Sequence, residues 1–161
     1  MPDTLSEFGR LPAGAGPILE SVGVLPFRWG AEGSLEVMMV TARADASRWI
    51  FPKGKMHRFF SGARSAAKEA YEEAGIRGTP MPRVVVSDYV AKGAGFQLVH
   101  YYLFRIEEVL PHWPEERERE RLLVSCGEAA DRIASRSLRA ALLQLDHLIE
   151  RHTAKPGRRK R

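Results

Sequence analysis

A single cysteine, Cys126, excludes any intramolecular disulfide and fits a reducing compartment, so a cytoplasmic location is expected. No cysteine and histidine cluster has the spacing of a zinc site. No run of about 18 apolar residues is present, which excludes a membrane-spanning helix. The N-terminal residues lack a basic stretch followed by an apolar one, so a signal peptide is not expected. Internal repeats are absent. One local absence is more informative. Between Arg48 and Arg64 there is no aspartate or glutamate, while Arg48, Lys53, Lys55, Arg58 and Arg64 supply five cations.

What remains is the composition of a folded domain, 44% hydrophobic and 28% charged over 161 residues. The net charge of +5 is a property of one end. Six of the 25 basic residues lie in 151–161, and the other 19 face 20 acidic ones, a balance near −1. We expect an arm over 1–16, a domain over 17–152 and a basic tail over 153–161. Such a tail can touch a phosphate backbone, RNA included, but a solvated end is the simpler reading.

Apolar, partly β-branched runs at 18–29 and 34–43, separated by Gly30 and Gly33, predict two strands joined by a turn. Residues 48–52 predict a short strand ended by Pro52. Residues 83–92 and 96–109 flank Gly93-Ala94-Gly95 and predict a hairpin. The charged segment 111–123 gives no clear period. Residues 127–152 carry Leu138, Leu142, Leu145 and Ile149 on one helical stripe and predict two helices broken near Ser135–Ser137. Strands on both sides of a central helix, with helices at the end, predict an α/β (α+β) layered fold.

The central helix is the most informative element. Ser61 is a suitable N-cap, five alanines favour helix over 62–74, and Gly75 suits a left-handed C-terminal cap. Glu69, Glu72 and Glu73 then stand at i, i+3 and i+4, on one face and near the C-terminus. Each like-charge pair costs about 0.2–0.5 kcal/mol, and each carboxylate opposes the helix dipole by roughly 0.3–1 kcal/mol. A divalent cation, with its preference for oxygen ligands, would offset both costs. An acidic, solvated helix end, with Lys68 paired to Glu72, is the plainer alternative.

The stretch from Gly54 to Ile76, GKMHRFFSGARSAAKEAYEEAGI, resembles the Nudix hydrolase signature over all 23 positions of its spacing. The resemblance implies an α/β/α sandwich with a central mixed sheet and a loop-helix-loop that carries a Mg²⁺ or Mn²⁺ site. It puts Glu69, Glu72 and Glu73, with the backbone carbonyl of Gly54, at the metal. Two positions depart: the first signature glutamate is Phe60, and the arginine is Lys68. We expect packing to replace that ion pair as the brace, with Phe60 as a hydrophobic staple against the first turns of the helix.

Residues 41–56 and 100–130 further resemble the subgroup that cleaves diphosphoinositol polyphosphates and diadenosine polyphosphates. That subgroup commonly has a tryptophan near Leu123 and a second glycine at Lys55, both absent here. The resemblance implies hydrolysis of a phosphoanhydride by water, with Glu69, Glu72 and Glu73 as the catalytic metal shell and Glu120 a candidate base. Arg43, Arg48, Lys53 and Lys55 border the signature loop and are the candidate phosphate contacts. A nucleotide-binding or protein-binding module without catalysis is the alternative, motivated by Phe60 and Lys68.

Overall fold

The computed structural model describes residues 16–153. Of the expected arm over 1–16 and tail over 153–161, residues 1–15 and 154–161 lie outside the described residues. Seven strands form one mixed sheet: β1 (Ile18–Trp29), β2 (Leu35–Ala42), β3 (Asp45–Ile50), β4 (Lys53–Lys55), β5 (Ile76–Lys92), β6 (Gly95–Val109) and β7 (Arg121–Ser125). Four helices accompany it: α1 (Gly62–Ala74), α2 (Cys126–Arg132), α3 (Arg136–Leu143) and α4 (Leu145–Thr153). The main strand order is β3-β2-β1-β6-β5, with β4 paired to β1 and β7 paired to β2. β1 and β6 run parallel and the other pairs antiparallel, which makes the sheet mixed.

Period-2 alternation divides the strands between two cores. Val22 and Val24 of β1, Met38 and Val40 of β2, and Tyr102, Phe104 and Ile106 of β6 face α1, where Ala66, Ala70 and Ala74 are fully buried. Their odd-numbered neighbours Leu25, Phe27, Val37, Met39, Val99, Tyr101 and Leu103 pack on the opposite face, against α2, α3 and α4. The alanine stripe lets α1 lie close to the sheet. The expected stripe of Leu138, Leu142, Leu145 and Ile149 is buried on the other side.

The charged segment 111–123 carries a strand that its composition conceals. β7 adds to β2 with Leu123 opposite Met38. The C-terminal region is three helices, not two. Ile133 leaves helical geometry after α2, Ser135 caps α3 through its hydroxyl, and a second break falls at Gln144, with φ −121° and ψ 19°. The stripe stays in phase across that break, so periodicity alone cannot reveal it. No helix among the described residues is long and apolar enough to cross a membrane.

Candidate active site

Helix α1 begins where expected. The Ser61 hydroxyl accepts from the Arg64 amide at 3.2 Å. It ends at Gly75, φ 64° and ψ 40°, whose amide donates to the carbonyls of Ala70 and Tyr71. Only glycine fits there. The left-handed backbone disfavours other residues, and a Cβ would come within 2.8 Å of both Trp113 and Arg121.

The acidic end of α1 does not stand uncompensated, and the cations come from the segment leading into β7. Arg121 donates to the Ala74 carbonyl at 2.9 Å and to the Leu110 carbonyl at 2.6 Å, with its guanidinium 3.9 Å over the Trp113 ring. It puts positive charge on the negative end of the helix dipole. Arg119 lies 2.7 Å from Glu73, donates to Glu115 at 3.1 Å and to the Thr41 carbonyl at 2.9 Å, and is itself buried. Thus a buried cation and a buried carboxylate meet, and each has further hydrogen bonds.

The three signature carboxylates have different surroundings. Glu73, 3% exposed, also accepts from the Lys53 amide at 2.8 Å. Burial pushes its carboxyl up to about 8, against the pull of Arg119 and of that amide. Glu69 is half-buried and is pushed up to about 7, first by burial and then by the charge of Glu72. It accepts no hydrogen bond from any described residue, and its carboxylate lies against Gly54 so closely that a Cβ on Gly54 would overlap it. Glu72 is held by Lys68 at 2.5 Å, and its backbone carbonyl accepts from Glu115. Among the described residues no three histidine, cysteine, aspartate or glutamate side chains form a ready cation cluster. Arg119 and Lys68 draw Glu73 and Glu72 away from one. The donor set nevertheless suits a hard divalent cation: Glu69 is a half-buried carboxylate without a donor among the described residues, Glu73 is one turn on, and the Gly54 backbone lies against Glu69.

The candidate phosphate contacts separate. Lys53 and Arg48 line a cavity of about 390 Å³ between β3, β5 and the α2–α3 junction, together with Trp49, Asp88, Tyr101 and Arg132. Lys53 Nζ donates to Gln97 at 2.7 Å, and Gln97 Nε2 donates to the buried Ser21 hydroxyl at 2.7 Å. Burial lowers the Lys53 pKa, with Lys92 adding to the effect. Arg43 is ion-paired to Glu115 at 2.5 Å and Glu118 at 2.8 Å. Lys55 is exposed on β4. Glu120 is exposed, and its backbone, not its carboxylate, makes the contacts to Thr41.

The expected staple is not formed. Phe60 is half-buried beneath the Arg64 guanidinium, 4.5 Å from the ring centroid, with His57 at 5.4 Å. The staple's partner position, four residues into the helix, is Ser65, whose hydroxyl is taken by the His57 amide. Arg119, Glu115, Gln97 and Asp88 escaped the sequence reading. For the first two the available signal was their i, i+4 spacing inside a run that looked like solvated charge.

No protein-family model matches the chain. It is 28% identical over 137 residues to Nudix hydrolase 18, mitochondrial, of Arabidopsis thaliana, covering 81% of this chain and 76% of that protein. To Nudix hydrolase 21, chloroplastic, of the same plant it is 27% identical over 124 residues, covering 75% of this chain and 63% of the other. Among solved structures, a C. elegans Ap4A hydrolase in a binary complex superposes with a TM-score of 0.69 at 17% identity, over 82% of this chain and 98% of that one.

Proposed function

We propose a specific role for this chain, which is a Nudix hydrolase and a pyrophosphohydrolase: divalent-cation-dependent cleavage of phosphoanhydride bonds in polyphosphorylated substrates of the diadenosine polyphosphate or diphosphoinositol polyphosphate kind. The observation that carries this reading is the pair Glu69 and Glu73. Both are desolvated where the signature loop meets the helix, with the Gly54 backbone packed against the Glu69 carboxylate. Glu69, Glu73 and the Gly54 carbonyl would hold Mg²⁺ or Mn²⁺, with Glu72 joining once released from Lys68. The bound cation would neutralise the phosphoanhydride and orient water.

The chain's own residues do the rest. Lys53, half-buried and aimed by Gln97, brings a cation to the mouth of the cavity with its position already set. Arg48 adds a second, and its planar fork suits bidentate phosphate contact. Arg119 fixes the Glu73 carboxylate through one oxygen while the Lys53 amide holds the other. Glu120 is kept as a candidate base on the family resemblance alone, because its exposed carboxylate accepts no hydrogen bond from any described residue. Trp49 and Tyr89 in the cavity wall offer rings for the part of the substrate that is not phosphate. The single thiol supports a cytoplasmic, reducing location.

The likeness in fold to a C. elegans Ap4A hydrolase is what favours the polyphosphate class. The test is a panel of diadenosine polyphosphates, diphosphoinositol polyphosphates and nucleotide sugars, assayed with and without Mg²⁺. Preference for a nucleotide sugar in kcat/KM overturns the substrate class. No turnover on any member with either cation favours the second reading, a binding module. The Arg119 guanidinium on the Glu73 carboxylate is the observation that motivates it.

A further inference from the structure

The two departures from the signature meet at one place. Phe60 and Lys68 line the same open groove on the outer side of α1, about 730 Å³, bounded by Arg64, Tyr71 and Arg77. It runs between α1 and β5, the last strand in the main order of the sheet. Its floor is Ile76, Gly78 and Phe104. From Phe60 to Tyr71 it extends for about 16 Å at the helical rise of 1.5 Å per residue. No carboxylate lines it. Lys68 is paired with Glu72, but Arg64 and Arg77 have no ion pair with any described residue, and both are exposed.

The cations are arranged with aromatic rings. Arg64 lies 4.5 Å from the Phe60 centroid and Arg77 lies 5.5 Å from that of Tyr71, one pair toward each end of the groove. Beside Phe60 in the chain, Arg58 is 6.0 Å from the ring of Phe59, which is 88% exposed. A guanidinium stacked on a ring costs little side-chain entropy to hold and still presents its N–H groups outward.

We propose that this groove binds a short segment of single-stranded nucleic acid, with Arg64 and Arg77 on phosphates and Phe60 and Tyr71 as stacking surfaces for bases, and with Arg58 and Phe59 of the adjoining loop extending the surface. Charge complementarity selects a polyanion, and the interleaved rings select one that carries flat faces along its length. An added peptide strand is a poorer occupant, because Pro80 and Pro82 interrupt the donors of β5 beyond the groove. The replacement of a glutamate by Phe60 removes the charge that would repel such a ligand. The groove and the cavity share no lining residue, although Lys68 of the groove pairs with Glu72.

The experiment is fluorescence anisotropy of a labelled oligouridylate RNA of about 12 nucleotides, titrated with the full chain at salt concentrations from about 50 to 200 mM. The double variant Arg64→Glu/Arg77→Glu is expected to bind at least about tenfold more weakly. Its slope of log affinity against log salt should be smaller by about 1.4, from the loss of two phosphate contacts. Tyr71→Ala should weaken binding with the slope unchanged. The melting temperature and phosphoanhydride hydrolysis of the double variant should match wild type, because neither arginine is in the hydrolytic site. Equal RNA binding by wild type and double variant overturns the proposal. Equal affinity for a polyglutamate peptide, or a self-association abolished by the same substitutions, overturns it in favour of an acidic protein or a second copy.

Discussion

Helix α1 presents two unlike sides. Toward β4 and β7, almost every polar group is committed: Glu73 to Arg119 and the Lys53 amide, Glu72 to Lys68, and the helix terminus to Arg121. Toward the outer groove, Arg64 and Arg77 have only aromatic rings for company. The first side holds Glu73, whose burial is met by partners distant in sequence, and Glu69, which has no partner among the described residues. The second side holds exposed cations that need none. Substitutions should therefore be severe on the first side and mild on the second for fold and hydrolysis.

The largest effect is expected at the carboxylates. Glu73→Gln should lower kcat/KM by about 100-fold or more and abolish the rise in melting temperature produced by millimolar Mg²⁺. Wild-type activity with wild-type Mg²⁺ stabilisation in that variant would place the cation elsewhere. Gly54→Ala should do similar damage, because the added Cβ overlaps the Glu69 carboxylate.

Arg119→Ala comes next. It strands Glu73 in a buried site and should cost about 3 kcal/mol of stability in the absence of divalent cation. Denaturant unfolding with and without Mg²⁺ sharpens the reading: if a cation can replace the guanidinium beside Glu73, Mg²⁺ should recover part of that loss. No recovery would speak for the binding-module reading.

The pH dependence follows from the same carboxyls. Glu73 titrates near 8 and Glu69 near 7 when folded, against an ordinary 4.5. Between about pH 5 and 8 the folded chain keeps protons that the unfolded chain has released. Metal-free stability should thus fall as pH rises through that window. A cation competes with those protons, so the Mg²⁺-induced rise in melting temperature should be larger at pH 8 than at pH 6. A metal-free stability that climbs from pH 5 to 8 would contradict the burial of both groups.

The smallest effect belongs to the outer side. With its ring only half-buried beneath Arg64, Phe60→Ala should cost about 1 kcal/mol, well below the roughly 3 kcal/mol of a fully buried phenylalanine. Hydrolysis should be unchanged. A loss of 3 kcal/mol in chemical denaturation would mean that Phe60 braces the signature loop after all.

Local chemistry made α1 legible. A serine cap, an alanine stripe, a left-handed glycine and the spacing of Glu69, Glu72 and Glu73 lie within one short stretch, and each acts on its immediate neighbours. The same holds for β1, β2 and the β5–β6 hairpin, where alternating apolar residues specify which face is buried. The charge run at 115–121 is different. As sequence it reads as a solvated face. In the fold it forms a turn in which Arg119 donates to the Thr41 carbonyl, 78 positions away, followed by β7, whose first residue Arg121 caps α1 from 47 positions away. Whether such a charge is exposed or buried depends on which distant carbonyl or carboxylate meets it. The sequence by itself therefore determined the signature helix, its caps and the sandwich class. Only the tertiary structure decided that Arg119 lies on Glu73, that Arg43 turns to Glu115 and Glu118, and that Phe60 and Lys68 border one groove. Helix and strand periodicity arise from neighbours a few residues apart, whereas the partner of a buried charge is chosen by packing across the whole chain.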